Sequence, residues 1–181
     1  MKSLVKLIAP LALIVSIAPV ALAQGGMGGG MPPEMAAKIK LWQKFGENHK
    51  NFTILQKTMF GFGECEKDPK AALTKDQAKN ILSQLKKWED KPVMSNDEAG
   101  ALVKALTKGM TIPQIKTANS AKMPDMRKQM ASRPGGMANF KMPDPKEYNP
   151  LNPSTMPFET ARPMMKKSLD EFKAKLTAKL K

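Results

Sequence analysis

Residues 73–118 read LTKDQAKNILSQLKKWEDKPVMSNDEAGALVKALTKGMTIPQIKTA. Three times in this stretch a Ser or Thr stands three residues before a Gln or Glu at the head of an apolar run: Thr74 before Gln77, Ser95 before Glu98, and Thr111 before Gln114. Each pair has the form of a capping box. The hydroxyl accepts from the third amide of the new helix, and the Gln or Glu side chain returns a bond to the amide of the cap itself. Asp76, Asp97 and Glu98 add negative charge to a first turn, where the helix dipole favours it. Behind the first cap, Ala78, Ile81, Leu82, Leu85 and Trp88 share one helical face. Behind the second, Ala99, Leu102, Val103 and Leu106 do so, with Gly109 as the stop. The third helix ends near Ala118, and Lys91-Pro92 separates the first two. No β alternation occurs, so the pattern predicts an all-α fold, a small antiparallel helical bundle.

Upstream, Met35, Ile39, Trp42, Phe45, His49, Phe52, Leu55 and Met59 recur at three- and four-residue steps. That stripe predicts one long helix entered near Pro33, weakened at Gly46 and closed by Phe60-Gly61-Phe62-Gly63. A helical domain over 34–119 results. Ahead of it, residues 24–33 (QGGMGGGMPP) form a flexible leader. Residues 1–23 have the three parts of a cleaved signal peptide: Lys2 and Lys6, an apolar run from Leu7 to Val20, and the small-x-small pattern Ala21-Leu22-Ala23. The expected location is therefore periplasmic or extracellular.

Downstream, the eight prolines between Ser120 and Pro163 forbid long regular elements. Residues 120–162 are expected to form an irregular connector, either draped over the helices or disordered, with room for a short helix only at Pro124–Met130. Residues 163–181 then carry Met165, Leu169, Phe172, Leu176 and Leu180 on one stripe, which predicts a C-terminal amphipathic helix.

Composition narrows the chemistry. The chain has 181 residues, 41% of them hydrophobic but only 6% aromatic, with 30 Lys and Arg against 16 Asp and Glu and a formal net charge of +14. One Cys excludes an intramolecular disulfide framework, and one His excludes His-rich zinc sites. His49 and Cys65 are the only candidates for a thiol–imidazole pair. His49 lies on an apolar stripe, and Cys65 lies between carboxylates that blunt a thiol. No catalytic residue and no cofactor is assigned, and enzyme is the least supported class. Fifteen methionines are the one excess. Met27, Met31 and Met35, and again Met123, Met126 and Met130, fall at helical spacing, as soft thioether ligands for Cu(I) would. The competing account is that Met fills a core poor in other aliphatics.

Leu73-Thr74-Lys75-Asp76-Gln77 has the form LTxxQ, and Met110-Thr111-Ile112-Pro113-Gln114 is a degenerate second copy. A basic, helical chain with an export signal and two such elements resembles the periplasmic Spy/CpxP family of ATP-independent chaperones and envelope-stress adaptors. The resemblance covers residues 73–114. It implies a helical hairpin dimer whose cationic, partly apolar concave face cradles unfolded clients. The expected function is thus a non-enzymatic exported protein that binds protein clients or envelope components. An anionic surface and a second copy of the chain are further candidate partners, and nucleic acid is not one. A copper-binding protein and a cell-envelope spacer are the alternatives.

Overall fold

A computed structural model describes residues 33–121 and 142–181. The expected signal peptide, nearly all of the leader, Met27, Met31, the short helix at Pro124–Met130 and Met123, Met126 and Met130 lie outside the described residues. Six α-helices and no strand occur among those described: α1 (Pro33–Asn48), α2 (Lys50–Cys65), α3 (Lys75–Trp88), α4 (Asn96–Thr107), α5 (Ile112–Ser120) and α6 (Arg162–Ala178). The fold is all-α. No helix among them is long and apolar enough to cross a membrane.

The single long helix expected over residues 33–63 is instead two. The apolar stripe continues across His49, but the backbone there leaves the helical region (φ −120°, ψ 43°). Its ring folds back onto Phe45 with centroids 3.9 Å apart, and Nδ1 sits 2.9 Å from the Phe45 carbonyl. The side chain thus competes for the carbonyl that the backbone amide also uses, a local contact of the kind that ends helices. The Phe60–Gly63 run, expected as a terminator, lies inside α2, which continues to Cys65. Here Gly61 serves packing. A Cβ at Gly61 would fall 2.7 Å from the Ala118 Cβ, so the missing side chain lets α5 approach α2 closely.

Helix α2 is the central element and packs against both α4 and α5. Phe52, Leu55, Met59 and Phe62 supply its buried face. Ile81 and Leu85 of α3, Leu102 and Leu106 of α4, and Met165, Leu169 and Leu176 of α6 join them in one apolar cluster. Helix α6 lies on α3. Its Lys173 pairs with Glu89. Near its end Lys179 reaches Glu66 at 3.0 Å and donates to the Leu73 carbonyl at 2.9 Å.

Residues 142–161 run over the helices and bury Tyr148, Leu151 and Met156 in the same cluster. Two short 3-10 turns, Pro153–Thr155 and Glu159–Ala161, lead into α6. The prolines remove amides from this stretch, and side chains hold it in place of a backbone ladder. Asn149 donates to the carbonyls of Trp88 (2.6 Å) and Lys91 (2.9 Å), satisfying acceptors at and beyond the end of α3. Its own oxygen accepts from the Leu151 amide at 2.9 Å, an Asx turn. At the other end, Trp42 of α1 donates to the Pro143 carbonyl at 2.8 Å and packs on Phe158.

Candidate functional site

All three capping boxes are formed, with Thr74, Ser95 and Thr111 as N-caps in extended backbone. In the box of Ser95 and Glu98, the Ser95 amide, and then its hydroxyl, hold the Glu98 carboxyl below the usual carboxylate range. The other two boxes do something the local pattern does not require. Their glutamines meet.

Gln77 Nε2 donates to Gln114 Oε1 at 2.9 Å, and Gln114 Nε2 donates to Gln77 Oε1 at 2.8 Å. Each amide oxygen also accepts from its own N-cap, the Thr74 and Thr111 amides both lying at 2.9 Å. Each amide nitrogen also reaches a backbone carbonyl two residues before the other motif's threonine. Gln77 donates to Gly109 O at 2.8 Å, and Gln114 donates to Ala72 O at 3.1 Å. The elements Leu73–Gln77 and Met110–Gln114 are therefore related by a local pseudo-twofold, and each amide oxygen accepts two bonds while each nitrogen donates two. Leu73, the first letter of the first motif, is buried, and Met110, its counterpart, packs against the core from a half-buried position. Gln114 itself is only 2% exposed, which makes the satisfied network worth more than the same bonds in water.

Around this junction the chain converges. The Cys65 thiol lies 3.5 Å from the Gln114 carbonyl. Glu66 accepts from the Leu73 amide at 2.9 Å while holding Lys179 of α6. Loop 66–74, the start of α5 and the end of α6 thus meet where the two motifs pair. The arrangement is built of neutral amides and backbone groups; it clasps two helix starts together.

The remaining candidates fall elsewhere. Cys65 ends α2 and His49 precedes its start, about 24 Å away along the axis at 1.5 Å per residue, so they do not form a pair. Cys65 is buried inside the fold, and burial pushes its thiol up, with Glu66 and Asp68 adding to the rise. Burial leads, where the sequence had pointed only to the flanking carboxylates. His49 Nε2 contacts the Glu147 carboxylate at 3.0 Å, which ties residues 142–161 to the α1–α2 break. Met59, Met94, Met156 and Met165 are core residues, in keeping with Met as apolar filler. Among the described residues no group of three or more His, Cys, Asp or Glu could hold a metal ion.

Sequence reasoning missed the Gln77–Gln114 pairing, the Asn149 cap and the Lys179–Glu66 tie. Only the second had a local signal. Asn149-Pro150-Leu151-Asn152-Pro153 is rich in Asx-turn formers, which mark a shaped segment in place of a loose one. Compared with known proteins, the chain matches no family model, no curated protein and no solved structure.

Proposed function

We propose that this chain is an exported, non-enzymatic helical protein that binds other macromolecules, a chaperone-like or envelope-stress protein with kinship to the Spy/CpxP family. The observation that carries the reading is the outer surface of the two N-terminal helices. Leu41 and Ile54 are each 48% exposed. Exposed Lys40 and Lys44 flank the first, and exposed Lys50 and Lys57 flank the second on the same helical face. Apolar side chains set among lysines suit partly unfolded acidic clients, since charge steers the encounter and the aliphatic groups give contact without a shaped pocket. The kinship rests on the two sequence elements, Leu73–Gln77 and its degenerate copy Met110–Gln114, each at a helix start. The signal-like residues 1–23 support export.

The test is suppression of aggregation of a reduced model substrate at low salt by residues 24–181, which contain every described residue. The parent chain suppresses aggregation, and Leu41→Ser with Ile54→Ser reduces suppression while leaving the helical circular-dichroism signal intact. A folded parent without suppression overturns the reading. So does a double variant that performs as the parent does.

A further inference from the structure

A second exposed apolar site lies at the α4–α5 turn. Ile112 is 70% exposed and Ile115 46%, one turn apart on the same side of α5. In the pseudo-twofold register that pairs Gln77 with Gln114, the residue after each glutamine is Ala78 on α3 and Ile115 on α5. Ala78 is fully buried and Ile115 is not. The turn is open to solvent at Gly109, whose φ is +79° and where an added Cβ meets nothing within 4 Å. Two large aliphatic side chains therefore stand exposed beside an open turn. Since exposed isoleucine gains nothing from water, their position calls for a partner.

The charge around the turn says which partner. From Ala99 to Ala121 the chain contains Lys104, Lys108 and Lys116 and no carboxylate. All three lysines are exposed, and no ion pair involves them among the described residues. The adjoining first turn of α3 contributes Lys75 and Asp76, whose charges offset each other. The positive end of the α5 dipole points the same way. Two exposed isoleucines with the exposed Lys108 and Lys116 close by in sequence match a surface with an apolar interior and anionic headgroups. A folded acidic protein would meet the lysines but leave the isoleucines unfilled.

We infer that the α4–α5 turn and the start of α5 form a docking site for an anionic lipid bilayer, with Ile112 and Ile115 entering the headgroup region while Lys108 and Lys116 pair with lipid phosphates. Ile54 lies toward the opposite end of α2 from Cys65, where that helix meets Gln114 of α5. Insertion of two isoleucines and attraction by a few lysines give weak, reversible, salt-sensitive adsorption.

The experiment is co-sedimentation of residues 24–181 with phosphatidylcholine vesicles, with and without phosphatidylglycerol. Binding occurs only with phosphatidylglycerol and weakens with added salt. Ile112→Ser with Ile115→Ser weakens it by about tenfold or more, and Lys108→Gln with Lys116→Gln weakens it by about fivefold per lysine. Val93→Ser, a control at an exposed aliphatic between α3 and α4, binds as the parent does. A further variant reads insertion without loss of apolar surface: Ile112→Trp is quenched by brominated phosphatidylglycerol. The inference is overturned if phosphatidylglycerol makes no difference, if the double isoleucine variant binds like the parent, or if Trp at 112 is not quenched. It is equally overturned if sedimentation velocity shows a dimer that the isoleucine variant dissolves while vesicle binding is unchanged, since a second copy then covers the turn.

Discussion

Truncating one glutamine of the paired motifs strands the other. Gln114→Ala removes four hydrogen bonds: those from the Thr111 amide and from Gln77, and those to Ala72 and to Gln77. At about 0.5–1.5 kcal/mol net per bond the sum is large. Part of it is recovered, because Thr111 is exposed and water can reach its amide. The expected cost is about 2–4 kcal/mol. Gln77→Ala removes an equivalent set, but Gln77 is half-buried and its partners rehydrate more readily, so about 1–3 kcal/mol is expected. The two bonds between the glutamines appear in both single losses and are lost only once in the double variant. The double variant should therefore cost about 1–2 kcal/mol less than the two singles added. Urea unfolding followed by fluorescence of Trp42 and Trp88 measures all three variants. A coupling within about 0.5 kcal/mol of zero refutes the reasoning, because independent sites add to within that margin. The glutamines would then be two separate caps that happen to be neighbours.

Other consequences are tested with the same unfolding assay. Trp42→Ala removes a buried ring that packs on Phe158 and bonds the Pro143 carbonyl, and it should cost about 3–5 kcal/mol; a loss below about 1 kcal/mol would mean that α1 is not docked by this residue. Asn149→Ala uncovers the Trp88 and Lys91 carbonyls and breaks an Asx turn, for an expected loss of about 2–3 kcal/mol, and a change near zero would show that water replaces it without penalty. Gln56→Met removes two buried side-chain atoms that have no hydrogen-bond partner, so it should stabilise the fold by about 1 kcal/mol or more; a loss of stability would point to a buried water serving that amide. Glu98 is held below the usual carboxylate range by Ser95, so its contribution is present above that range and is lost as pH falls through its lowered folded value. Glu98→Gln should therefore flatten the acid limb of the stability–pH curve, and an unchanged limb would assign that limb to other carboxylates.

What could be read from the chain and what could not divides along a physical line. The starts of α3, α4 and α5 were legible because a capping box is closed by residues three apart, and nothing distant has to agree with it. The break at His49 was not legible. The apolar period runs through it unaltered, and the decision rests on an imidazole taking a carbonyl within its own turn. The glycines at 61 and 63 resemble a terminator because a glycine's local freedom is visible in sequence and its packing partner is not. Ala118, which makes Gly61 necessary, lies 57 positions further on. Residues 142–161 show the same division. Their prolines rule out regular elements, but whether they float or pack depends on Asn149 finding carbonyls near the end of a helix 61 residues earlier. For the candidate site, LTKDQ at 73–77 and MTIPQ at 110–114 were visible as letters, and each was already accounted for as a cap. The local account was complete and still insufficient. A capping glutamine that bonds only its own N-cap leaves both amide N–H groups and one lone pair free. Once the fold brings two such glutamines together in a place as dry as Gln114's, those free groups must find partners, and facing each other head to tail satisfies both. The junction is therefore the consequence of burying two ordinary caps against one another. The same burial leaves Ile112 and Ile115, on other faces of α5 than Gln114, exposed.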